Sequence, residues 1–211
     1  MAIIQLFKDI ISMGFMVSTK LGDVEIIPQA GAGQLRDFTF HAGFGEFEDY
    51  HSILTRPEVL AREAENGRVA VAVLARQIIG YVVLRTPLPG ERWREMAIIR
   101  EIYCELARGV RGENIIQVLL KSMHQYPEQE DLIYYLVGYT WHWDLKHTGR
   151  SVREYRQAVI KLVEPYGYRE YPTNDPNVGL HAENIFMARL GAKLPPQIRR
   201  AFNRLLFGIT A

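Results

Sequence analysis

The stretch IIREIYCELARGVRGENIIQVLLKSM, residues 98–123, predicts a strand, a loop and a helix in that order. Residues 98–106 are apolar and β-prone with partial alternation, and residues 107–114 contain two glycines and two arginines. Five apolar side chains then recur at the spacing of one helix face. They are Ile115, Ile116, Leu119, Leu120 and Met123.

A glycine-containing loop that enters a helix is a good anion site. The first N–H groups of a helix have no partner within it, and the helix dipole adds positive potential there. Arg108 and Arg111 would add formal positive charge. Taken alone, the segment fits an ordinary strand–turn–helix with solvated arginines equally well.

Length and composition fit one globular domain over residues 1–211. The net charge of +1 lacks the excess of positive charge that is typical of nucleic-acid-binding domains. The single cysteine, Cys104, excludes an internal disulfide framework and fits a reducing compartment. Charges interrupt the apolar residues 1–15, so we expect neither a signal peptide nor a membrane span. We therefore predict a cytoplasmic protein with no nucleic-acid or membrane partner. Residues 1–16 could form a helical arm, of the kind that packs on a second subunit in a homo-oligomer.

The cysteine and histidine positions predict no metal site. Cys104 lies in an apolar segment, where a small buried side chain is more common than a catalytic thiol. His41 and His51 have no other ligand set near them in the sequence, so we expect no metal.

The order of predicted elements indicates an α/β (α+β) fold with a mixed central sheet and helices on both faces. A hairpin over residues 17–27 comes first, and a later helix begins with Thr55 as N-cap and Glu58 closing a capping box. Residues 69–74 and 78–84 are strands in a tight hairpin, and their unbroken apolar runs indicate that both sheet faces are covered. After the central segment we predict a strand over 132–140, a helix over 152–163, a strand over 167–171, a helix over 182–190 and a helix over 196–206.

The central segment resembles the acetyl-CoA motif of the GNAT superfamily of acyltransferases. There a strand ends, an Arg-Gly-x-Gly-x-Gly/Ala loop wraps the pyrophosphate of coenzyme A, and a helix starts. Arg111 and Gly112 match this pattern. Asn114 stands at the next glycine position, where it can tolerate the left-handed region and could cap the helix. Ile116 stands at the last one; it could lie already inside the helix, although its bulk could narrow the cofactor groove.

This resemblance implies acetyl-CoA as the acyl donor, with its contacts in one segment. The backbone around Leu106 and Ala107 would pair with the pantetheine arm, and residues 111–114 would hold the pyrophosphate. The implied cofactor-binding residues are Leu106, Ala107, Arg108, Arg111, Gly112, Glu113 and Asn114.

Residues 141–149, Trp-His-Trp-Asp-Leu-Lys-His-Thr-Gly, look like the signature of the acetoin-utilisation acetyltransferases, GNAT proteins encoded with acetoin catabolism genes in Gram-positive bacteria. The likeness covers roughly residues 20–207. It implies that the protein acetylates a lysine of acetyl-CoA synthetase and that this acetylation inactivates the synthetase. It also implies that this segment lines or braces the groove for the acyl group or the substrate lysine. The groove residues would be Trp141, His142, Trp143 and Asp144. From the residues alone, one face of the run could be core and Asp144 a helix N-cap.

GNAT chemistry is direct attack by an amine on the thioester of acetyl-CoA. The protein must hold both reactants close, take a proton from the ammonium and place a backbone N–H at the developing oxyanion. A carboxylate on the central strand usually serves as base, and Glu101 and Glu105 are candidates because residues four apart share one face of a regular strand. The family's glutamate falls nearest Arg100 by an ungapped count, and a strand bulge would bring Glu101 there, so Glu101 ranks first. Each glutamate could also be a plain charge at a strand end. Tyr171 is a weaker candidate for protonating the thiolate.

Two other functions fit the residues. A regulatory module could keep the fold and bind acetyl-CoA without catalysis, and Arg100, Asn114 and Ile116 favour that interpretation. A GNAT enzyme acting on a small amine such as a polyamine is the other. No acidic cluster in the sequence indicates a cationic metabolite, and the family likeness argues against it.

Overall fold

The computed structural model describes residues 14–44 and 56–209. Residues 1–13 of the predicted arm and Thr55 lie outside the described residues, while Phe15 and Met16 begin the first strand. The strands of the described chain are β1 Phe15–Thr19, β2 Gly22–Ile27, β3 Thr39–Phe40, β4 Arg68–Leu74, β5 Gln77–Arg85, β6 Ile99–Leu106, β7 Ile133–Gly138, β8 Arg169–Glu170 and β9 Ile185–Leu190. Its α-helices are α1 Ala32–Arg36, α2 Pro57–Asn66, α3 Ile115–Met123, α4 Leu145–Thr148, α5 Val152–Val163, α6 Pro176–Gly179 and α7 Pro196–Leu205.

The described chain forms two compact units. The first holds residues 14–44, 56–85 and 102–126, and the second holds residues 86–101 and 127–209. Strand β6 runs through both, and the division falls between Glu101 and Ile102. The prediction of one GNAT-like domain over the whole chain stays a prediction.

The sheet of the first unit is built on two hairpins. Strands β1, β2, β4 and β5 are antiparallel neighbours in that order, β6 follows β5, and β3 pairs parallel with β5. The β4–β5 hairpin closes through Ala75 and Arg76, whose φ values are 48° and 65°. Positive φ at both central residues gives the two-residue turn whose twist matches the flanking strands. Both hairpins predicted in this region are confirmed.

Helices cover both faces of this first sheet. The side chain of Tyr81 is fully buried in a cluster that includes Leu60 of α2. Gly80 precedes it and therefore points to the other face. There an added Cβ would lie 2.8 Å from Leu106 and 3.4 Å from Leu119 of α3. Helix α2 packs on one face and α3 on the other, as predicted.

The sheet of the second unit is mixed. The start of β6 pairs parallel with β7, while β7 pairs antiparallel with β9 and β9 with β8. In the core of this unit the ring of Trp93 stacks on Phe186, with centroids 4.4 Å apart. Phe202 of α7 is fully buried in the same cluster. A mixed sheet with packed helices confirms the predicted fold class.

The helix predicted over residues 182–190 is wrong, because Ile185–Leu190 form strand β9. The first four residues of β9 are all buried, so no alternation of apolar and polar residues marks it as a strand. Gly191 ends the element as predicted. Its N–H donates to the carbonyl of Leu132 at 3.0 Å, and an added Cβ would lie 2.3 Å from the carbonyl oxygen of Glu130.

The N-cap position predicted for α2 is also wrong, while the side chain of Thr55 lies outside the described residues. Arg56 is the N-cap of α2, and no side chain caps the helix there. Pro57 occupies the first helical position, where its missing N–H is not needed. A capping box occurs instead at α5, where Ser151 and Glu154 accept each other's backbone N–H groups.

The described helices are short. Helix α5, with 12 residues, is well below the roughly 20 apolar residues that cross a bilayer. Within residues 14–44 and 56–209 no helix has both the length and the apolar character for that role.

Candidate active site

The loop between β6 and α3, residues 107–114, is fastened to its neighbours by backbone hydrogen bonds. The N–H of Ala107 donates to the carbonyl of Ile79 at 2.9 Å, and the N–H of Arg108 donates to the carbonyl of Gly43 at 2.7 Å. A Cβ at Gly43 would lie 2.4 Å from the carbonyl oxygen of Arg108, so only glycine permits this approach. The N–H of Ala107 is thus occupied, and its carbonyl accepts the N–H of Val110 at 3.4 Å, so a pantetheine arm could pair only with the second lone pair of that carbonyl.

Three residues of the loop adopt left-handed backbone. Gly109 has φ 85°, Gly112 has φ 90° and Asn114 has φ 57°. The prediction that Asn114 accepts the conformation of the glycine it replaces is therefore confirmed. Asn114 is the N-cap of α3 by position, but its side chain makes no capping hydrogen bond. Ile116 lies in the first turn of α3 and is half-buried, as expected for a residue already inside the helix.

Backbone amides at this turn are free to receive an anion. Among the described residues, the N–H groups of Gly112, Glu113 and Asn114 donate to no backbone carbonyl. They precede a helix of nine residues, whose dipole adds positive potential at this end. The carboxylate of Glu113 accepts the N–H of Lys20 at 3.1 Å, which ties the loop to the β1–β2 turn. The turn therefore has the donors and the rigidity of a phosphate site.

Formal positive charge lies on the same loop. The side chains of Arg108 and Arg111 are half-buried, and both follow the end of β6 at Leu106. The structure therefore brings together all seven predicted cofactor-binding residues on one loop and the strand end before it.

Glu105, a predicted base, is held in an aromatic cluster. The hydroxyl of Tyr81 donates to its Oε2 at 2.6 Å, and the hydroxyl of Tyr103 donates to the same oxygen at 3.4 Å. The ring of Tyr81 stacks on that of Tyr103 and on that of Phe44. The carboxylate of Glu105 thus already accepts two hydrogen bonds within the first unit.

Cys104 is unsuited to nucleophilic catalysis. Burial raises the pKa of its thiol to about 12, and the neighbouring carboxylate of Glu105 raises it further in the same direction. The thiol stays protonated at neutral pH, and the thiolate is the nucleophilic form. The side chain is half-buried in β6, so the expectation of a small buried side chain is met only in part.

In the second unit, the predicted strand over residues 132–140 ends earlier, at Gly138, and residues 140–142 form a 3₁₀ turn. This turn exposes an aromatic stack. The ring of Trp141 lies flat on Tyr139, with centroids 4.6 Å apart, and His142 contacts both rings by its edge. Trp141 is 41% exposed, and burial lowers the pKa of His142, so its imidazole is neutral at neutral pH. These two side chains can meet a ligand.

The other two residues of this run are buried. Trp143 is buried, and its ring stacks on Tyr155 of α5 with centroids 5.3 Å apart. Asp144 is 3% exposed and is the N-cap of α4, where it accepts the backbone N–H of His147. Its Oδ1 also lies 2.7 Å from Nδ1 of His147. The N-cap alternative for Asp144 is therefore correct.

Three carboxylates that are far apart in the sequence act on the hydroxyl of Tyr139. Burial raises the pKa of its hydroxyl to about 12, and the carboxylates of Asp175, Glu101 and Glu91 raise it in the same direction. The hydroxyl is therefore a proton donor at neutral pH, close to the predicted base Glu101. The position of Tyr139 two residues before Trp141 could have suggested it, whereas Asp175 and Glu91 are too distant in sequence to be linked to it.

Tyr171 packs against the core of the second unit. Its N–H donates to the carbonyl of Phe186 at 3.0 Å, and its half-buried ring meets Phe202 edge-on. Its proposed role with the thiolate, and a common strand face for Glu101 and Glu105, stay predictions. Among residues 14–44 and 56–209, no group of three or more His, Cys, Asp or Glu side chains is arranged to hold a metal ion.

Comparison with known proteins connects this geometry to a family. The chain is 31% identical over 197 residues to the acetoin utilization protein AcuA of Bacillus licheniformis, covering 90% of this chain and 92% of that protein. The chain belongs to the AcuA family of acetoin utilization proteins. It is also 32% identical to the crystal structure of the acetoin utilization protein of Exiguobacterium sibiricum, with a TM-score of 0.85 and 92% and 93% of the two chains covered. No protein-family model matches the chain.

More distant solved structures share the fold of this AcuA family member. A GNAT acetyltransferase of Streptococcus pneumoniae is 14% identical with a TM-score of 0.54, covering 79% of this chain and 98% of its own. A GNAT phosphinothricin acetyltransferase of Sinorhizobium meliloti, solved in complex with AcCoA, is 16% identical with a TM-score of 0.50, covering 80% and 89%. The chain therefore has the fold of the GNAT acetyltransferases, and the resemblance predicted from residues 105–112 and 141–149 is confirmed for family and fold.

Proposed function

We propose that this protein is an N-acetyltransferase that moves the acetyl group of acetyl-CoA to a lysine of a protein, namely acetyl-CoA synthetase, in the cytoplasm. The observation that carries the proposal is the loop of residues 107–114, with three left-handed residues and free amides at the start of α3. The AcuA family and its link to acetoin utilization support this place in metabolism. A homo-oligomer formed through residues 1–16 belongs to the same proposal.

Acetyl-CoA fits the loop in both geometry and charge. A pyrophosphate would accept the N–H groups of Gly112, Glu113 and Asn114, and Arg111 would neutralise part of its charge. Half-buried Ile116 already belongs to α3, so it does not interrupt this turn. The AcCoA bound to the S. meliloti enzyme of the same fold supports the same donor here.

The chemistry needs one base and a bound acceptor amine. The amine nitrogen bonds to the thioester carbonyl carbon, the C–S bond breaks, and coenzyme A leaves as a thiolate that takes up a proton. Glu101 accepts the proton that the amine loses. We rank Glu101 above Glu105 because Glu101 acts on the hydroxyl of Tyr139, whose ring stacks on the exposed Trp141.

A lysine acceptor fits the surroundings of Tyr139. The carboxylates of Glu101, Asp175 and Glu91 all act on its hydroxyl and would attract an ammonium group. The exposed ring of Trp141 offers a surface for the aliphatic stem of a lysine, and His142 lies at its edge. Trp143 and Asp144 would hold this segment in place.

Calorimetric titration with acetyl-CoA tests the proposed function. We expect the wild-type protein to bind acetyl-CoA. Arg111→Ala should bind it about tenfold to a hundredfold more weakly, because one charge-assisted contact with phosphate is lost. Arg204→Ala, an exposed arginine of α7, is the matched control and should keep wild-type affinity. No binding by the wild-type protein would refute the proposal.

Turnover then separates an enzyme from a regulatory module that binds acetyl-CoA without catalysis. Transfer of labelled acetyl to purified acetyl-CoA synthetase should fall at least about a hundredfold in Glu101→Gln, the usual order of general base catalysis. The rate of acetyl transfer should fall less in Glu105→Gln than in Glu101→Gln. Binding without any transfer by the wild-type protein would favour the module, and equal transfer to a free polyamine would favour a small-amine enzyme.

A further inference from the structure

Helix α5 and the turn just before it present basic side chains on one exposed side. We call Arg150, Arg153 and Lys161 the basic face. They line a shallow groove of about 530 Å³, which Glu154, Gln157 and Ala158 complete. Arg153, Gln157 and Lys161 follow one another at intervals of four, which places them on one side of the helix, so the groove runs along the helix rather than across it.

Little negative charge in the second unit neutralises this face. Among the described residues, neither Arg150 nor Lys161 lies within ion-pair distance of a carboxylate, although the charge of Arg150 contributes to the lowered pKa of Glu154 in the same groove. Arg153 lies 3.7 Å from a carboxylate oxygen of Glu183, but its side chain is 83% exposed and such a pair contributes little. The carboxylate of Glu154 accepts the N–H and hydroxyl of Ser151, which lowers its pKa and holds it at the helix start. The lining thus holds three basic side chains and one carboxylate, so positive charge prevails along the groove.

The spread of these charges indicates the shape of the ligand. Arg153 and Lys161 are separated by about 12 Å along the helix axis at about 1.5 Å per residue, and Arg150 lies further toward the start. A phosphate-sized anion needs charges that converge on one point, whereas these lie in a row. An extended peptide rises about 3.3 Å per residue, so about four residues span the same distance. Carboxylates on alternate residues of such a segment would meet the row.

The opposite side of α5 packs against the segment that carries the proposed lysine-acceptor site at Trp141 and His142. The ring of Tyr155 stacks on Trp143, which directly follows the Trp141–His142 turn. Arg156 on the same helix is ion-paired with Glu170 and Glu183, which fixes the helix to its own unit. A partner bound to the outer side of α5 would thus contact the helix that packs against the proposed lysine-acceptor site.

We propose that the basic face of α5 is the docking surface for an acidic, extended segment of the protein acceptor. Because the partner is that acceptor, this rests on the proposed function. The segment would bind by its carboxylates to Arg150, Arg153 and Lys161 and so raise the local concentration of the lysine to be acetylated. The overall net charge of +1 makes a nucleic acid the less favoured partner.

Fluorescence anisotropy on the full chain tests the surface without any turnover. The probe is a labelled peptide in which glutamate alternates with serine, titrated at low ionic strength. The variant R150E/K161E reverses two charges of the basic face. The control R200E/R204E makes the same charge change on exposed residues of α7. We expect the first variant to bind the peptide at least about tenfold more weakly and the control to bind like wild type.

Three results would overturn the docking surface. They are no peptide binding by the wild-type protein, equal weakening in both variants, and tighter binding of a single-stranded oligonucleotide of equal charge that the same variant abolishes. Titration of each variant with acetyl-CoA reports folding and tests the proposed function separately, since the basic face lies outside residues 107–114. With acetyl-CoA synthetase as acceptor, R150E/K161E should raise KM about tenfold and leave kcat unchanged.

Discussion

At the scale of single residues, Asn114 holds a left-handed conformation that most side chains avoid. Asn114→Gly should keep the turn and the affinity for acetyl-CoA, because glycine adopts this conformation freely. Asn114→Val should lower the free energy of unfolding by about 1–2 kcal/mol, since its branched Cβ is strained there. Guanidinium denaturation measures the stability, and calorimetry measures the affinity. Equal stability of the two variants would show that the turn does not depend on this conformation.

Gly43 is the second residue on which the loop depends. In Gly43→Ala the new methyl group would start 2.4 Å from the carbonyl oxygen of Arg108, so the loop must shift. We expect a loss of about 1–3 kcal/mol in the free energy of unfolding, as for overpacking elsewhere, together with weaker acetyl-CoA binding. Gly33→Ala is the control, because its Cβ would meet nothing within 4 Å in helix α1. That control should be neutral or more stable by about 0.5–1 kcal/mol. Unchanged binding by Gly43→Ala would contradict the proposed fastening of the loop.

At the scale of elements, Glu130 connects the turn before β7 to the end of β9. Its carboxylate accepts the N–H of Ala192 at 2.7 Å and is ion-paired with Arg189. These contacts, the Ala192 hydrogen bond first, lower the pKa of Glu130. A lowered pKa in the folded state stabilises the protein above the ordinary value of 4.5, and this contribution is lost as pH falls through the folded-state pKa.

Glu130→Gln should therefore lower the free energy of unfolding at neutral pH by about 1–3 kcal/mol, the usual effect on a hydrogen bond to a charged group. The difference from wild type should shrink as the pH drops below 4.5, where the wild-type carboxylate becomes protonated. Urea denaturation across this pH range gives both values. Asp131→Asn on the same turn is the control, because its pair with Lys193 is exposed and 3.9 Å long. A difference that is constant with pH would exclude this role for the Glu130 charge.

The elements also differ in how far sequence reveals them. Strands β4 and β5 and helix α3 follow directly from apolar runs, turn residues and helical spacing. Strand β9 does not, because it is buried on both faces and an unbroken apolar run fits a short helix as well. The start of α2 was misplaced for a related reason, since a matching pair of cap residues does not show which residue begins the helix.

At the scale of the whole molecule, bound acetyl-CoA should raise the melting temperature. At a concentration about a hundred times its Kd, a ligand that binds only the folded state adds about 2.7 kcal/mol. For a chain of 211 residues this corresponds to a rise of roughly 5–10 °C. Differential scanning fluorimetry measures the shift, and Arg111→Ala should show much less of it at the same ligand concentration. An equal shift in both proteins would mean that the ligand binds away from residues 107–114.

The candidate site could be predicted where its residues follow one another in the chain. Leu106 and the loop of residues 107–114 lie together because a strand end, glycines and a helix start are contiguous. Tyr139, Asp175 and Glu91 escaped prediction because only the packing of the second unit brings their side chains together. The separate roles of exposed Trp141 and buried Trp143 likewise depend on burial, which a run of alternating aromatic residues does not determine.

The protonated thiol of Cys104 can serve as a chemical probe of the opening of strand β6. With a pKa of about 12, this single, half-buried thiol is protonated at neutral pH and reacts slowly with alkylating reagents while the strand keeps its fold. Opening of the strand would bring the pKa back toward its ordinary value and speed the labelling, so the labelling rate reports on that opening. A donor molecule bound where the strand ends should slow that labelling, which gives an optical assay for occupancy that requires neither an acceptor nor turnover.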